Sequence, residues 1–367
     1  MENRSFLQIA KPYFNVFDGS LSLIIFLILG AGTLTIYSAG IDFPGRVEDH
    51  LRNVLVAFVV LWFAALVPPQ TLMRFAVPIY TVGVALLVAV AIFGLVKKGA
   101  RRWLDVGIVV QPSEILKIAM PLMLAWYFQK REGSINWRDF VLAALLLMIP
   151  VFLIARQPDL GTSLLVAASG FYVIFFAGLS WKVIAGLAIG MLASMPVGWV
   201  LLHDYQRDRI MTLFDPGADP LGKGFHIIQS TIAIGAGGIT GTGWLKGTQS
   251  HLEFIPERTT DFLFAVYSEE FGLIGNGVLL FLYILLIGRG LLIAANAPTL
   301  FSRLVAGSIS LMFFTYAFVN MGMVSGILPV VGVPLPFMSY GGTALVTLGL
   351  GAGILMSIQR HRKLIQT

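Results

Sequence analysis

Ile255-Pro-Glu-Arg-Thr-Thr-Asp-Phe-Leu-Phe-Ala-Val-Tyr-Ser-Glu-Glu270 joins a charged segment to an apolar run that opens at Phe262. Ionisable side chains at the edge of a membrane span are costly, and by default they mark function. Glu257, Arg258 and Asp261 crowd one such edge, so this is the first place to expect chemistry.

The run from Phe262 is one of ten. Working outward in both directions, apolar segments long enough to cross about 30 Å of hydrocarbon fall at 20–39, 53–68, 75–96, 112–129, 139–155, 160–179, 183–202, 262–288, 304–326 and 340–358. Hydrophobic residues make up 57% of the 367-residue chain and charged residues 12%, which excludes an ordinary soluble domain. The expected fold class is an all-α polytopic membrane protein of about ten transmembrane helices, forming a single integral membrane domain over 1–367. The first 20 residues are mixed and polar, and the following run is too long for the apolar part of a signal peptide; it reads as the first span. The chain has no cysteine, so neither a disulfide framework nor a thiol nucleophile is available.

Only 203–261, between the seventh and eighth spans, is long enough for a substantial extramembrane element, expected as one large extracytoplasmic loop. It is rich in Gly and polar residues, and His226–Gly235 is its one amphipathic-looking stretch. Gly186/Gly190 and Gly349/Gly353 are small-xxx-small pairs, which let helices approach closely.

Orientation follows from the basic residues. With the N-terminus inside and ten spans, twelve of the 25 Lys and Arg residues fall on each side and Lys117 lies within a span. The short inner turns and the Gln359-Arg-His-Arg-Lys363 tail favour cytoplasmic termini. The outer cations then need another reason, and a phosphate-bearing lipid headgroup supplies one.

Four polar constellations stand out. Lys97-Lys-Gly-Ala-Arg-Arg-Trp-Leu-Asp105 sets Lys97, Lys98, Arg101 and Arg102 beside Trp103; it suits a phosphate-rich headgroup, and equally an interfacial anchor. In Gln111-Pro-Ser-Glu-Ile-Leu-Lys117 the proline opens a helix. Glu114 and Lys117 then share one face and can pair, structurally or in a site. Arg156-Gln-Pro-Asp-Leu-Gly-Thr162 is a polar break between spans. Such breaks survive only where protein or water satisfies the backbone, so Asp159 faces a cavity or a partner such as Lys117. In the opening segment, Thr259-Thr-Asp261 before an apolar helix also reads as an N-cap.

These words, together with His203-Asp-Tyr-Gln-Arg207, Asp219-Pro-Leu-Gly222, Gly247-Thr-Gln-Ser250, Ser325-Gly-Ile-Leu-Pro-Val-Val-Gly-Val-Pro-Leu-Pro336 and Ser339-Tyr-Gly-Gly342, resemble the RodA/FtsW (SEDS) family of peptidoglycan glycosyltransferases, and most nearly its elongation branch. The resemblance runs over roughly 20–363 in the expected order. The family usually reads His-Thr-Asp before the apolar run where this chain has Thr259-Thr260-Asp261, so a role for that His does not carry over.

The resemblance implies a multi-pass protein of the bacterial cytoplasmic (inner) membrane. It would polymerise lipid II on the extracytoplasmic face for cell elongation and rod shape. The donor bears undecaprenyl pyrophosphate on its anomeric carbon, the acceptor is a 4-hydroxyl, and the configuration inverts. Asp261 matches the family's essential Asp and would be the base. Arg258, Lys97, Lys98, Arg101 and Arg102 would contact the pyrophosphate. Glu257 stands beside them, and Glu114, Lys117 and Asp159 would position the site. The implied partners are a class B penicillin-binding protein (a transpeptidase), near spans eight and nine and 203–261, and other elongation-complex membrane proteins. No nucleic acid is implied. The metal is open, with Mg2+ or Mn2+ as the divalent cation to consider. Two other classes fit the same portal: a lipid II flippase and a non-catalytic scaffold. Neither has an evident use for a carboxylate at position 261.

Overall fold

Each of the ten apolar runs forms a helix of seventeen residues or more. The computed structural model describes residues 16–97, 100–105, 109–202, 204–220, 224–251, 255 and 257–362. The ten helices are α1 (Gly19–Ala39), α2 (Arg46–Leu66), α3 (Pro69–Phe93), α4 (Pro112–Lys130), α5 (Trp137–Ala155), α6 (Leu160–Phe176), α7 (Trp181–Leu201), α11 (Leu263–Ala295), α12 (Leu300–Val324) and α13 (Gly342–His361). Between α7 and α11 lie three shorter helices, α8 (Asp204–Phe214), α9 (Phe225–Gly237) and α10 (Thr248–His251). Among the described residues, seven helices are long and apolar enough to span a membrane, namely α1, α2, α3, α5, α11, α12 and α13. The protein is a multi-pass membrane protein.

Local chemistry sets several helix starts. Pro69 and Pro112 stand in the first turns of α3 and α4, where a missing N–H costs nothing. Asp18 Oδ1 accepts from Leu21 N at 2.9 Å to cap α1, and Asn136 and Asp139 form a capping box on α5. The structure also moves some expected edges. Helix α2 starts at Arg46 rather than 53, because its first two turns carry Glu48, Asp49, His50 and Arg52 and lack an apolar signature. Helix α11 continues to Ala295 and is broken at Gly272, where φ is 63° and ψ is −162°. The chain 238–243 crosses that break: Leu273 N and Ile274 N donate to Gly238 O and Ile239 O, and Thr242 N donates to Glu269 O. The freed backbone groups are thus satisfied within the protein, as a broken membrane helix requires.

Helix α4 is the axis of the bundle, with fourteen of its nineteen residues buried, and it packs against α3, α6 and α12. Helix α13 lies along α2. A Cβ on Gly349 would stand 2.7 Å from Ala57 O, so that glycine permits the approach. Gly353 serves the same helix pair against Leu61. The other expected pair, Gly186/Gly190, has open space around it, because no described element packs there.

Two ion pairs fix the sidedness of the loops. Arg289 Nε donates to Asp18 Oδ1 at 3.0 Å, while Arg258 donates to Asp42 Oδ2 at 2.6 Å. They tie opposite ends of α1 and α11, which therefore run antiparallel. The Asp18 end carries the turns between α2 and α3, α4 and α5, and α11 and α12. There Ser357 Oγ bonds Val67 O, and Phe301 N donates to Gln129 Oε1 at 2.8 Å. The Asp42 end carries the polar constellations.

That end also holds strands that the all-α expectation lacks. Leu95–Lys97 (β1), Ala100–Asp105 (β2) and Val109–Val110 (β3) form an antiparallel sheet in the order β1-β2-β3, with Leu104 opposite Val110. Lys98 lies outside the described residues, as do the side chains of Lys97 and Arg101.

Candidate active site

Three structures meet at the Asp42 end: the hairpin β1–β2, the break between α5 and α6, and the turn before α11. Arg102, on β2, donates from Nε to Gln157 O at 3.3 Å and from Nη2 to Pro158 O. Its Nε lies 3.9 Å from Asp159 Oδ2. Asp159 in turn caps α6, with Oδ1 accepting from Thr162 N at 3.1 Å. Its other oxygen accepts from Gln111 Nε2 at 3.2 Å. The partner of Asp159 is thus Gln111 with Arg102 alongside, rather than Lys117.

Lys117 pairs with Glu114 one helical turn away. The Nζ–Oε1 distance is 2.6 Å, and the side chains are 3% and 13% exposed. Lys117 also donates to Tyr316 Oη at 2.7 Å, and Glu114 Oε2 accepts from Thr347 at 3.1 Å. The pair therefore ties α4 to both α12 and α13. A buried pair is tolerable only when its remaining lone pairs and protons find partners, and here they do.

Asp261 stands at the start of α11 but does not cap it. The N-cap position is Phe262, and no side-chain cap bond is made there. Its backbone carbonyl accepts from Asn320 Nδ2 at 2.8 Å, and the same amide donates to Val333 O at 2.7 Å. The carboxylate is half-buried and faces a cleft of two chambers. The first, of about 350 Å³, is lined by Arg102, Gln111, Glu114, Lys117, Asp159, Glu257, Asp261 and Tyr340 among others. The second, of about 340 Å³, adds Pro158, Leu160, His226, Phe262 and Val330. Arg102, Asp159, Glu257, Asp261 and Gly332 line both.

The first chamber continues into an apolar groove of about 480 Å³ between α3, α4 and α13. The two share Gln111, Glu114 and Thr343, and Leu72, Ile79, Ile118, Leu122 and Leu350 carry the groove onward. A polar chamber thus meets an apolar trough.

Arg258 sits elsewhere. It is 3% exposed, donates to Ala39 O at 2.8 Å and to Asp42, and lies over the Phe43 ring with its Cζ 5.1 Å from the centroid. It braces the Glu257–Asp261 turn against the end of α1. Glu257 accepts from the Thr260 hydroxyl at 3.1 Å. So the structure gathers Glu114, Lys117, Asp159, Glu257, Asp261 and Arg102 in one cleft and leaves Arg258 outside its lining.

Tyr316 and Asn320 carry no sequence signal, and His226 and Tyr340, though they stand in the His226–Gly235 stretch and the Ser339–Gly342 word, have no role that the sequence alone assigns. All four arrive from distant parts of the chain. Glu269 and Glu270, at the end of the opening segment, are fully buried. Glu269 Oε1 accepts from Gln249 N at 2.9 Å and Glu270 Oε1 from Leu245 N at 3.2 Å, so together they hold the chain that leads into the Asp261 turn.

Residues 20–364 match the FtsW/RodA/SpoVE family, described as cell cycle proteins. The chain belongs to this family. Among curated FtsW/RodA/SpoVE relatives, the peptidoglycan glycosyltransferase MrdB of Escherichia coli K12 is 52% identical over 350 residues, covering 95% of each chain. The stage V sporulation protein E of Bacillus subtilis is 36% identical, covering 94% of this chain and 98% of that protein. Of solved family structures, a chain of a peptidoglycan synthase complex that coordinates polymerization and crosslinking matches with a TM-score of 0.81 at 33% identity, over 95% of this chain and 98% of that one. The rod shape determining protein RodA of Thermus thermophilus matches with a TM-score of 0.72 at 28% identity, with the same coverage.

Proposed function

We propose that this family member is a peptidoglycan glycosyltransferase of the elongation type, which polymerises lipid II into β-1,4 glycan strands on the outer face of the cytoplasmic membrane. The observation that carries the reading is the union of a carboxylate-bearing chamber with an apolar groove, through the shared lining of Gln111, Glu114 and Thr343. A lipid-linked sugar needs both at once: a trough for the polyprenyl chain and a polar space for the sugar.

In the proposed step, the acceptor 4-hydroxyl oxygen attacks the donor's anomeric carbon from the face opposite the leaving group. The carbon–oxygen bond to undecaprenyl pyrophosphate breaks, and its electron pair leaves with the pyrophosphate. The hydroxyl proton passes to the Asp261 carboxylate. Inversion needs one base on the attacking side. Pyrophosphate leaves without a strong acid, provided that cations meet its developing charge. Arg102, which lines both chambers, is the best-placed described cation. Lys117 is already matched by Glu114.

The described lining of the first chamber sets four carboxylates, Glu114, Asp159, Glu257 and Asp261, against two cations. Further positive charge must therefore come to the pyrophosphate, and the hairpin residues Lys97, Lys98 and Arg101 are next in the sequence to supply it. Mg2+ or Mn2+ is the other source that the family resemblance leaves open. Among the described residues no three Asp, Glu or His side chains cluster to hold a metal. The step above is derived without one.

A class B penicillin-binding protein is the proposed partner, with other elongation-complex membrane proteins around it. Support comes from the likeness to a chain of a peptidoglycan synthase complex. The reading is tested by reconstituting the purified chain in vesicles with lipid II, with and without the partner. Glycan strands sensitive to a muramidase are expected. Transbilayer movement of lipid II with no polymer in either arm would overturn the assignment.

A further inference from the structure

Three consecutive residues between α12 and α13 are held from three directions. A Cβ added to Gly161, in the first turn of α6, would stand 2.7 Å from Val331 O, so α6 presses on the segment there. Gly332 faces the Asp261 carboxylate, where an added Cβ would stand 3.3 Å from Oδ2. Val333 O accepts from Asn320 Nδ2 at 2.7 Å, and the same amide donates to the Asp261 carbonyl at 2.8 Å. Asp261 is therefore gripped through its main chain by Asn320 and met at its carboxylate by Gly332. Both contacts lead back to one short stretch of chain.

Asn320 does not meet the cleft itself. It is fully buried and lines neither chamber. Chemistry fixes its orientation: carbonyl oxygens only accept, so the group between the two of them is the amide nitrogen, which has two protons. The amide oxygen is then left buried with no hydrogen-bond partner among the described residues. That unmade bond costs free energy, and such a group in a folded protein calls for an explanation. The arrangement sets the distance between the carboxylate-bearing turn and the segment that faces it. Asn320 also lies one helical turn beyond Tyr316 on α12, on the same face, and the Tyr316 hydroxyl accepts from Lys117 at 2.7 Å. Helix α12 thus carries two supports of the cleft side by side.

We propose that Asn320 is a positioning residue for the Asp261 carboxylate. It locks the turn before α11 to the 331–333 segment through two carbonyls, so that the carboxylate keeps one place against Gly332. The proposal rests on the polymerase reading above.

The test looks for a loss of kcat without a loss of fold. Asn320→Leu is close in size and removes both donors. The purified full-length variant, with its partner, is assayed over a range of lipid II concentrations. Misplacing a reacting group by about 1 Å costs up to about 100-fold, so kcat should fall about ten- to 100-fold while KM stays within about twofold of wild type. Gly332→Ala disturbs the other side of the same contact, so the double variant should lose less than the product of the two single losses. Hydrogen exchange reads the lock without activity: amides of 257–262 and 331–335 should exchange faster in Asn320→Leu, while those of α4 stay as protected as in wild type. If the Leu variant folds poorly, Asn320→Gln gives the same comparison with a smaller loss of kcat, since it keeps both donors on a stem one methylene longer. Wild-type kcat in a folded Leu variant would overturn this proposal alone. So would a rise in KM that accounts for the lost activity, independent losses in the double variant, or faster exchange throughout the bundle. No polymer from the wild-type chain would overturn the polymerase reading and this proposal with it.

Discussion

Oδ2 of Asp261 lies so close to Gly332 that a Cβ added to the glycine would stand 3.3 Å from it. Gly332 has a φ of 73°, a conformation that other L-residues reach only at a cost of about 1–2 kcal/mol. The segment between α12 and α13 therefore presents bare backbone to the proposed base. Gly332→Ala should strain that turn and push the carboxylate aside. We expect glycan synthesis to fall by at least an order of magnitude while expression and detergent stability change little. Equal activity of the purified variant and wild type would show that the contact does not set the carboxylate's position.

Asp261→Asn keeps the shape and removes the basicity. Loss of a general base typically lowers the rate by about 10²–10⁴-fold, so lipid II polymerisation should be nearly abolished in a folded protein. The structure adds a second expectation. Since α11 starts at Phe262 without a side-chain cap bond, Asp261→Ala should melt no lower than Asp261→Asn instead of losing a cap. A thermal melt of both variants checks this, and a drop confined to Asp261→Ala would return capping to the residue.

The contrast shows what the sequence could carry. The ten long helices were legible because each carries a long apolar run, and that signal needs no knowledge of neighbours. The hairpin Leu95–Val110 was not, since its strands are short and four cations sit among them. The polar first turns of α2 were also hidden, as was the break at Gly272, which depends on the crossing of 238–243. At the site, Glu114 and Lys117 were legible as a pair because both lie on one helix face. Arg258 adjoins Asp261 in sequence, but its ion pair with Asp42 spans 216 residues, and no local pattern shows it. His226 reaches the cleft lining and its ring contact with Phe262 through packing that no local pattern encodes.

Membrane sidedness gives a direct check. The ion pairs at the two ends of α1 and α11 place Glu48 and Ala218 at the chamber end of the protein and Glu132 and Arg360 at the other, and all four are exposed. In this Cys-free chain, single cysteines at Glu48 and Ala218 should react with an impermeant maleimide added to intact spheroplasts. Cysteines at Glu132 and Arg360 should react only after lysis. Labelling of Arg360→Cys from outside would overturn the proposed cytoplasmic termini.

The Glu114–Lys117 pair invites a double-mutant cycle. Removing one partner of a buried ion pair leaves an uncompensated charge, at a cost of about 3–5 kcal/mol. Lys117→Met should be the more damaging single change, because Glu114 would stay charged with only the Thr347 hydroxyl, at 3.1 Å, to answer it. Glu114→Gln should cost less, since Lys117 keeps Tyr316 Oη at 2.7 Å. Residues in contact are not additive, so the double variant should be more stable than the sum of the single losses predicts. Activity should not recover in parallel, because both side chains line the first chamber. Thermal stability and polymerisation measured on the same preparations separate the two roles. Strict additivity in stability would show that the pair does not act as a unit, and recovery of activity along with stability would mean that its part is to hold α4 against α12 and α13 and nothing more.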